Sequence, residues 1–172
     1  SGFEALLAAC LLGSSWEVAY HLRWIAPDGL LMQFAALVLM ACFAAVHAKD
    51  GRRWLLVAAI AAGFGCGSKY PGGLLALPVF VATCMIAPTL WEERSAQVRG
   101  VLLQSLKLGA VFLVTYLVTT PGTIFEWDLF RRDLEFEMKH YGEDGHHVYT
   151  LEPGIEHFTR MLEYLSTQML SP

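Results

Sequence analysis

The most constraining feature of this sequence is an apolar run over residues 29–46, in which Gln33 is the only polar side chain. At about 1.5 Å per helical residue, this run reaches about 27 Å, close to the thickness of a bilayer's hydrocarbon core. It therefore predicts a membrane-spanning helix. Hydrophobic residues make up 55% of the chain and charged residues 16%, and the apolar residues arrive in long blocks. That distribution predicts an integral membrane protein.

Pro27 and Asp28 mark the start of this helix. Proline suits a first turn because the amide that it lacks would be unpaired there anyway. A carboxylate in the first turn is favoured by the helix dipole. Spacing alone therefore leaves two interpretations of Asp28 open, a helix cap and a functional group.

An aromatic segment precedes Pro27. Trp16, Tyr20 and Trp24 recur at every fourth position, and such amphipathic aromatic side chains prefer the membrane interface. Arg23 lies among them. It would anchor the segment to headgroup phosphates, and a substrate contact is the alternative.

A short basic loop, residues 47–53, follows the first predicted span and contains three Lys and Arg residues. Because basic loops stay on the cytoplasmic side of a membrane, this loop is expected to be cytoplasmic. Asp28, at the other end of the same helix, is then extracytoplasmic.

The returning apolar run, residues 54–66, reaches only about 20 Å and is too short to cross comfortably. The glycines at its end, Gly63, Gly65 and Gly67, are expected to loosen the helix, and residues 68–73 to break it. Lys69 lies in that break. A lysine at membrane depth costs a few kcal/mol, so an anionic partner is expected. Snorkelling to headgroups from a helix end is the alternative.

The rest of the membrane region is expected to cross twice more. Residues 74–90 return with a kink at Pro78, and residues 101–119 go outward after a polar cytoplasmic stretch. These make four spans after a leading apolar segment. The predicted division is a transmembrane helical region over residues 1–122 and an extracytoplasmic acidic and histidine-rich segment over residues 123–172, leading toward a further helix.

The extracytoplasmic segment is dense in ionisable groups. On a helix, Asp133, Glu137 and His140 share a face, and Glu137 and His140 could present two metal ligands together. The alternative is a surface helix with a solvated charged face. Its buried stripe would consist of Phe130, Leu134, Met138 and Tyr141.

Cysteine spacing and net charge exclude other classes. The cysteines lie singly inside apolar blocks, without the paired spacing of a zinc site or a redox dithiol: Cys10, Cys42, Cys66 and Cys84. The net charge of -4 comes mostly from the segment after Pro121. With no basic patch typical of nucleic-acid binding, no nucleic-acid partner is expected.

Taken in order, these motifs resemble the central membrane region of the GT-C glycosyltransferases, in particular the family of protein O-mannosyltransferases and bacterial aminoarabinose transferases. The similarity extends to about residue 154. The motifs that carry it are Arg23-x-x-x-Pro27-Asp28, Gly63-x-Gly65-x-Gly67-Ser-Lys69-Tyr-Pro-Gly, and an outer segment with Asp133-Leu-x-x-Glu137, His140 and Gly145-His146.

The resemblance implies an all-α, polytopic transmembrane helical bundle with an extracytoplasmic loop and helix segment. It implies an enzyme that takes a sugar from a polyprenyl-phosphate carrier and passes it to an extracytoplasmic acceptor, either protein or lipid. Membrane lipid would surround it, in a bacterial plasma membrane, with the active face extracytoplasmic.

The resemblance also implies roles for individual residues. Asp28 would be a supporting catalytic residue, and Lys69 would lie near the lipid phosphate, with Tyr70 and Arg23 on the substrate side. His140 would contact substrate or metal. A divalent metal cation would be held by Asp28, Glu137 and His140. The family's principal catalytic aspartate lies in an outer loop expected before Ser1, so this chain alone is expected to be inactive.

Two other classes remain open at this point. A secondary transporter fragment would bind an anionic solute at mid-membrane, at the broken helix of Lys69. Transporters tend to repeat such breaks, and this sequence shows one. In a non-catalytic membrane assembly subunit, Asp28 and Lys69 would be anchors.

Overall fold

The computed structural model describes residues 2–14, 27–139 and 154–167. In these ranges all regular elements are helices, and no strand occurs, which confirms the predicted all-α class. The α-helices are α1 (Gly2–Ser14), α2 (Pro27–His47), α3 (Gly51–Ser68), α4 (Ala76–Leu90), α5 (Arg94–Thr119), α6 (Gly122–Phe125), α7 (Trp127–Lys139) and α8 (Ile155–Thr167), and a 3₁₀ helix (Tyr70–Leu75) joins α3 to α4.

The chain divides into two compact units. One unit is Pro27–Ile124, and the other combines Ser1–Ala26 with Phe125–Pro172. The first unit holds α2 to α5 and the 3₁₀ helix. The division into functional regions at residues 1–122 and 123–172 stays a prediction.

Three stretches of the described chain are long and apolar enough to cross a membrane: Pro27–His47, Tyr70–Leu90 and Arg94–Thr119. Large side chains on them face outward, among them Phe43 and Leu106, which are 67% and 70% exposed. Apolar surface on this scale is unfavourable in water and suits a lipid environment. The chain is an integral membrane protein.

The remaining predicted span is α3. It is less apolar than the other three because its first turn contains two arginines and its last turns contain glycines. Its last residue precedes Lys69, which contacts Asp28 at the start of α2. If α2 crosses the membrane, α3 must therefore bring the chain back. The helix covers residues 51–68 rather than 54–66. Its 18 residues reach about 27 Å, which corrects the predicted bounds, although the apolar part of the helix is no longer than expected.

The glycines of α3 do not loosen it, which corrects a second expectation. The helix continues through Gly63, Gly65 and Gly67 to Ser68. A Cβ on Gly63 would lie 2.7 Å from the carbonyl oxygen of Phe112 in α5 and 2.7 Å from Cβ of Thr115. Absent side chains therefore let α3 and α5 approach closely, the usual role of small residues between membrane helices.

The same small-residue face makes α3 the centre of the bundle. Its buried residues include Leu55 and a series of alanines at Ala58, Ala59, Ala61 and Ala62. They form one apolar cluster with buried residues of α2, α4 and α5. Because α3 packs against each of these helices, its position fixes theirs.

Two boundaries differ from expectation. Pro78 lies in the first turn of α4, where its missing amide breaks no helical hydrogen bond, so it does not kink a helix interior. The loop after α4 is limited to residues 91–93, because α5 already begins at Arg94. The predicted polar stretch, residues 91–100, is thus mostly the first turns of a long helix.

Helix α7 confirms the helix predicted around Asp133 and Glu137, but its expected buried stripe is incomplete. Phe130 and Leu134 are half-buried, and Met138 is 69% exposed. An apolar stripe predicts which face a partner would cover, not that a partner covers it. Tyr141, the fourth member, lies outside the described residues.

Candidate functional site

The candidate site is an ion pair between two helix ends. The Lys69 ammonium Nζ donates a hydrogen bond of 2.6 Å to Oδ1 of Asp28. Asp28 lies in the first turn of α2, and Lys69 directly follows α3. Their side chains are 38% and 41% exposed, so the pair is accessible to a ligand.

The backbone of Lys69 is fixed on both sides. Its N–H donates to the carbonyl of Gly65 at 3.2 Å, and its own carbonyl accepts the N–H of Gly72 at 2.8 Å. Between these bonds the residue is extended, with φ -157° and ψ 134°. This single extended residue turns the chain from α3 into the 3₁₀ helix and directs the side chain toward Asp28.

Two glycines let the 3₁₀ helix fold back onto α3. A Cβ on Gly72 would collide with the carbonyl carbon and oxygen of Gly65. A Cβ on the neighbouring Gly73 would meet only the Cys66 Sγ, at 3.9 Å. The turn that carries Lys69 therefore requires glycine at position 72 and not at position 73.

The Lys69 ammonium keeps hydrogen-bond donors that an anion could use. An ammonium group has three N–H donors, and one of them is used by Asp28. No other acceptor contacts Lys69 Nζ in the part of the chain that the structure describes. A half-exposed ion pair contributes only about 0–1 kcal/mol to stability, so stability explains it poorly. Asp28 can hold the ammonium in place while the remaining N–H groups bind phosphate or carboxylate oxygens.

Of the other predicted site residues, the structure describes Tyr70 and Glu137. Tyr70 follows Lys69 directly and is 50% exposed. Glu137 is exposed on α7, which belongs to the other compact unit. Arg23 and His140 lie outside the described residues.

The described residues alone do not fit a metal site. Among residues 2–14, 27–139 and 154–167, no group of three or more His, Cys, Asp or Glu side chains lies close enough to hold a metal ion. Oδ1 of Asp28 is occupied by an ammonium group, which repels a second cation. The predicted set of Asp28, Glu137 and His140 therefore stays a prediction.

A simple signal in the sequence could have located the pair. The loop at residues 48–50 lies 20 positions after Asp28 and 19 positions before Lys69. When a short loop joins two antiparallel helices, residues equally distant from that loop come to the same level. Sequence reasoning gave both residues a role and expected an anionic partner for Lys69, but it did not identify Asp28 as that partner.

The chain matches a known protein family. The family model described as dolichyl-phosphate-mannose-protein mannosyltransferase matches residues 2–119 of the 172-residue chain. The matched region contains Asp28 and Lys69 and ends before Glu137. No curated protein and no solved structure matches the chain.

Proposed function

This chain belongs to the dolichyl-phosphate-mannose-protein mannosyltransferase family, and on that premise we propose that it binds the phosphate of a polyprenyl-phosphate sugar donor at Lys69. The family supports a membrane glycosyltransferase of the GT-C type. The proposed reaction passes the sugar from the donor lipid to an extracytoplasmic acceptor, either protein or lipid.

The observation that carries this proposal is the 2.6 Å contact between Lys69 Nζ and Asp28 Oδ1. In the transfer, the bond between the sugar's anomeric carbon and a phosphate oxygen breaks, and an acceptor oxygen takes its place. The departing polyprenyl phosphate gains negative charge. A lysine that donates hydrogen bonds to the phosphate oxygens stabilises that charge as it develops.

Asp28 supports this step through Lys69. Its carboxylate fixes the position of the ammonium and compensates its charge before the donor binds. We therefore assign Asp28 as a positioning residue rather than as the base that receives the acceptor's proton. Tyr70, which follows Lys69, remains a candidate donor contact.

The remaining site residues stay proposals. Arg23 is proposed on the donor side, and Glu137 and His140 are proposed to face the acceptor or a divalent cation. When bound, such a cation would supply charge neutralisation at the phosphate. The role of Lys69 described above does not depend on it.

The pair lies at the membrane end of the bundle opposite the basic loop. Along α3, Lys69 is 17 positions beyond Arg52, which is about 26 Å. By the positive-inside rule the Arg52 end is cytoplasmic, so Lys69 would lie at the extracytoplasmic face. That is the leaflet where a donor would meet an extracytoplasmic acceptor.

The structure supports the transporter alternative less well than the donor site. It required a helix broken at mid-membrane, whereas α3 is continuous to Ser68. Lys69 is level with the first turn of α2, at an end of the bundle. An anion bound there would occupy the interface rather than a central transport site.

The test measures sugar transfer by the natural-length protein in liposomes that contain a polyprenyl-phosphate sugar. We expect Lys69→Ala to lower transfer by about a hundredfold, as removing a transition-state donor does. Asp28→Asn should lower transfer by about tenfold, because the ammonium remains but is less well held.

The control is Asp50→Asn. Asp50 pairs with Arg53 at the same distance, 2.6 Å, near the opposite ends of α2 and α3. Its loss should leave transfer unchanged. Full activity of both Lys69→Ala and Asp28→Asn would refute the site, and uptake of a soluble anion without consumption of the donor lipid would favour transport.

A further inference from the structure

A second charged site lies at the other end of the membrane bundle. Arg52 in the first turn of α3, Trp91 after α4, and Arg99 and Lys107 on α5 line a pocket of about 320 Å³. We call it the basic pocket. Its volume equals that of roughly ten water molecules at about 30 Å³ each, enough for a small polar headgroup.

The described residues that line the basic pocket carry positive charges without a negative one among them. Three of its lining side chains are cationic, and none of its lining residues is acidic. Within the described residues, no carboxylate forms an ion pair with Arg52, Arg99 or Lys107. The adjacent Arg53, which does not line the pocket, is neutralised by Asp50. Cations held together without a counter-ion require an anion or repel one another.

The aromatic wall of the pocket is fixed. The Arg52 guanidinium lies over the Trp91 ring, 5.6 Å from its centroid. Gly100 also packs closely against this ring, because a Cβ there would lie 2.5 Å from ring atoms of Trp91. The Trp91 carbonyl also accepts a hydrogen bond of 2.9 Å from Gln97 Nε2. The tryptophan therefore orients Arg52, and the pocket does not depend on free lysines alone.

The depth of the pocket points to a lipid. Arg99, Leu103 and Lys107 follow one another at every fourth position, so they form a stripe along α5. Arg99 and Lys107 both lie in the candidate span Arg94–Thr119, and Lys107 is eight positions, about 12 Å, further along its axis. A lysine at this depth extends toward the interface, where Arg99 lies. Leu103 lies between them and gives the pocket an apolar wall suited to the acyl chain of a lipid.

From this geometry we infer that the basic pocket binds the phosphate of an anionic phospholipid, in the leaflet opposite the Asp28–Lys69 pair. Basic pockets between membrane helices hold lipid headgroups in this way. Arg52 and Arg99 contact the phosphate from the headgroup region, Lys107 reaches it from below, and an acyl chain lies along Leu103. This inference does not depend on the proposed donor site.

The test uses native mass spectrometry of the natural-length protein in a neutral detergent with equal amounts of phosphatidylglycerol and phosphatidylcholine. We expect the protein to retain phosphatidylglycerol in preference, by about tenfold or more, because each basic contact strengthens binding of an anionic headgroup. The triple variant Arg52→Gln, Arg99→Gln, Lys107→Gln should lose that preference.

The matched control is the triple variant Lys49→Gln, Arg53→Gln, Arg94→Gln. It removes the same charge from the same end of the bundle outside the pocket, and it should keep the preference. Equal losses in the two triple variants, or no preference in the unmodified protein, would overturn the inference. Displacement of the lipid by an equal concentration of glycerol 1-phosphate would also overturn it, since a soluble phosphate would then be the ligand.

A single substitution tests the same inference if the triple variant of the basic pocket does not fold. Arg99→Gln alone should reduce the preference by at least about threefold, and an unchanged preference in this variant would overturn the inference.

Discussion

Lys69 Nζ contacts Asp28 Oδ1 across 41 positions of sequence, and the two residues are almost equally distant from the loop at residues 48–50. The contact therefore depends on the relative register of α2 and α3. It also depends on the glycine contact that folds the 3₁₀ helix back onto α3. The second dependence can be tested by a substitution at Gly72.

The first prediction concerns the coupling of Asp28 and Lys69. If Asp28 acts by holding the ammonium, removing it should matter only while Lys69 is present. The double variant Asp28→Asn, Lys69→Ala should therefore transfer sugar no more slowly than Lys69→Ala alone. Turnover measured for the four members of this cycle gives the answer. Multiplied losses in the double variant would assign the two residues independent roles.

A second prediction concerns the turn that follows Lys69. Gly72→Ala should lower the free energy of unfolding by about 1–3 kcal/mol, because its methyl group collides with the Gly65 carbonyl and the 3₁₀ helix must move. Donor turnover should fall as well, since Lys69 moves with the turn. Thermal unfolding in detergent and the transfer assay measure the two effects.

Gly73→Ala is the control for that substitution. Its methyl group meets only the Cys66 Sγ, at 3.9 Å, an ordinary contact distance. Stability and turnover should stay close to those of the unmodified protein. Equal effects of the two alanines would contradict the assigned contact.

A third prediction concerns the packing of α3 against α5. Gly63→Ala should destabilise the protein by about 1–3 kcal/mol, because the added carbon would lie 2.7 Å from the Phe112 carbonyl oxygen. Gly109→Ala, on α5, places its methyl group in open space, with nothing within 4 Å. It should be neutral or slightly stabilising, since alanine favours a helix. A Gly63→Ala variant as stable as Gly109→Ala would argue against close packing of α3 on α5.

The fourth prediction concerns the path of α3 across the membrane. In a variant with all four cysteines replaced by alanine, single cysteines at Lys49, Tyr70 and Gly122 can be labelled with an impermeant maleimide. Tyr70→Cys and Gly122→Cys should react from one side, and Lys49→Cys from the other. Labelling of Tyr70→Cys from the Lys49 side would show that α3 does not cross.

Much of the helical arrangement was predictable because apolar blocks of bilayer length have few alternative structures. The apolar run after Asp28 predicted the bounds of α2 to within two residues. The basic loop after it predicted where α2 connects to α3. The start of α5 was predicted seven residues late. Arg94 to Gly100 are polar enough to suggest a loop, yet an interfacial helix tolerates such residues because its first turns lie among headgroups.

The glycines were misinterpreted for a different reason. A glycine in a helix can mark either a break in that helix or a close contact with a neighbouring helix. Sequence alone does not show which residue lies opposite the glycine. At Gly63 that neighbour is the backbone of α5, 49 positions away at Phe112. Asp28 and Lys69 were identified as site residues from their motifs. Predicting the direct contact between them would have required the relative register of α2 and α3.

Arg52 lies in the first turn of α3, and Lys69 directly follows its last turn. A single continuous helix therefore joins the two charged ends of the bundle. A slip of this helix by one residue would translate both ends by about 1.5 Å and rotate them by about 100°. The glycine and alanine contacts of α3 oppose such a slip. A displacement of α3 along its axis that moves Arg52 would also move Lys69 at the other end of the helix.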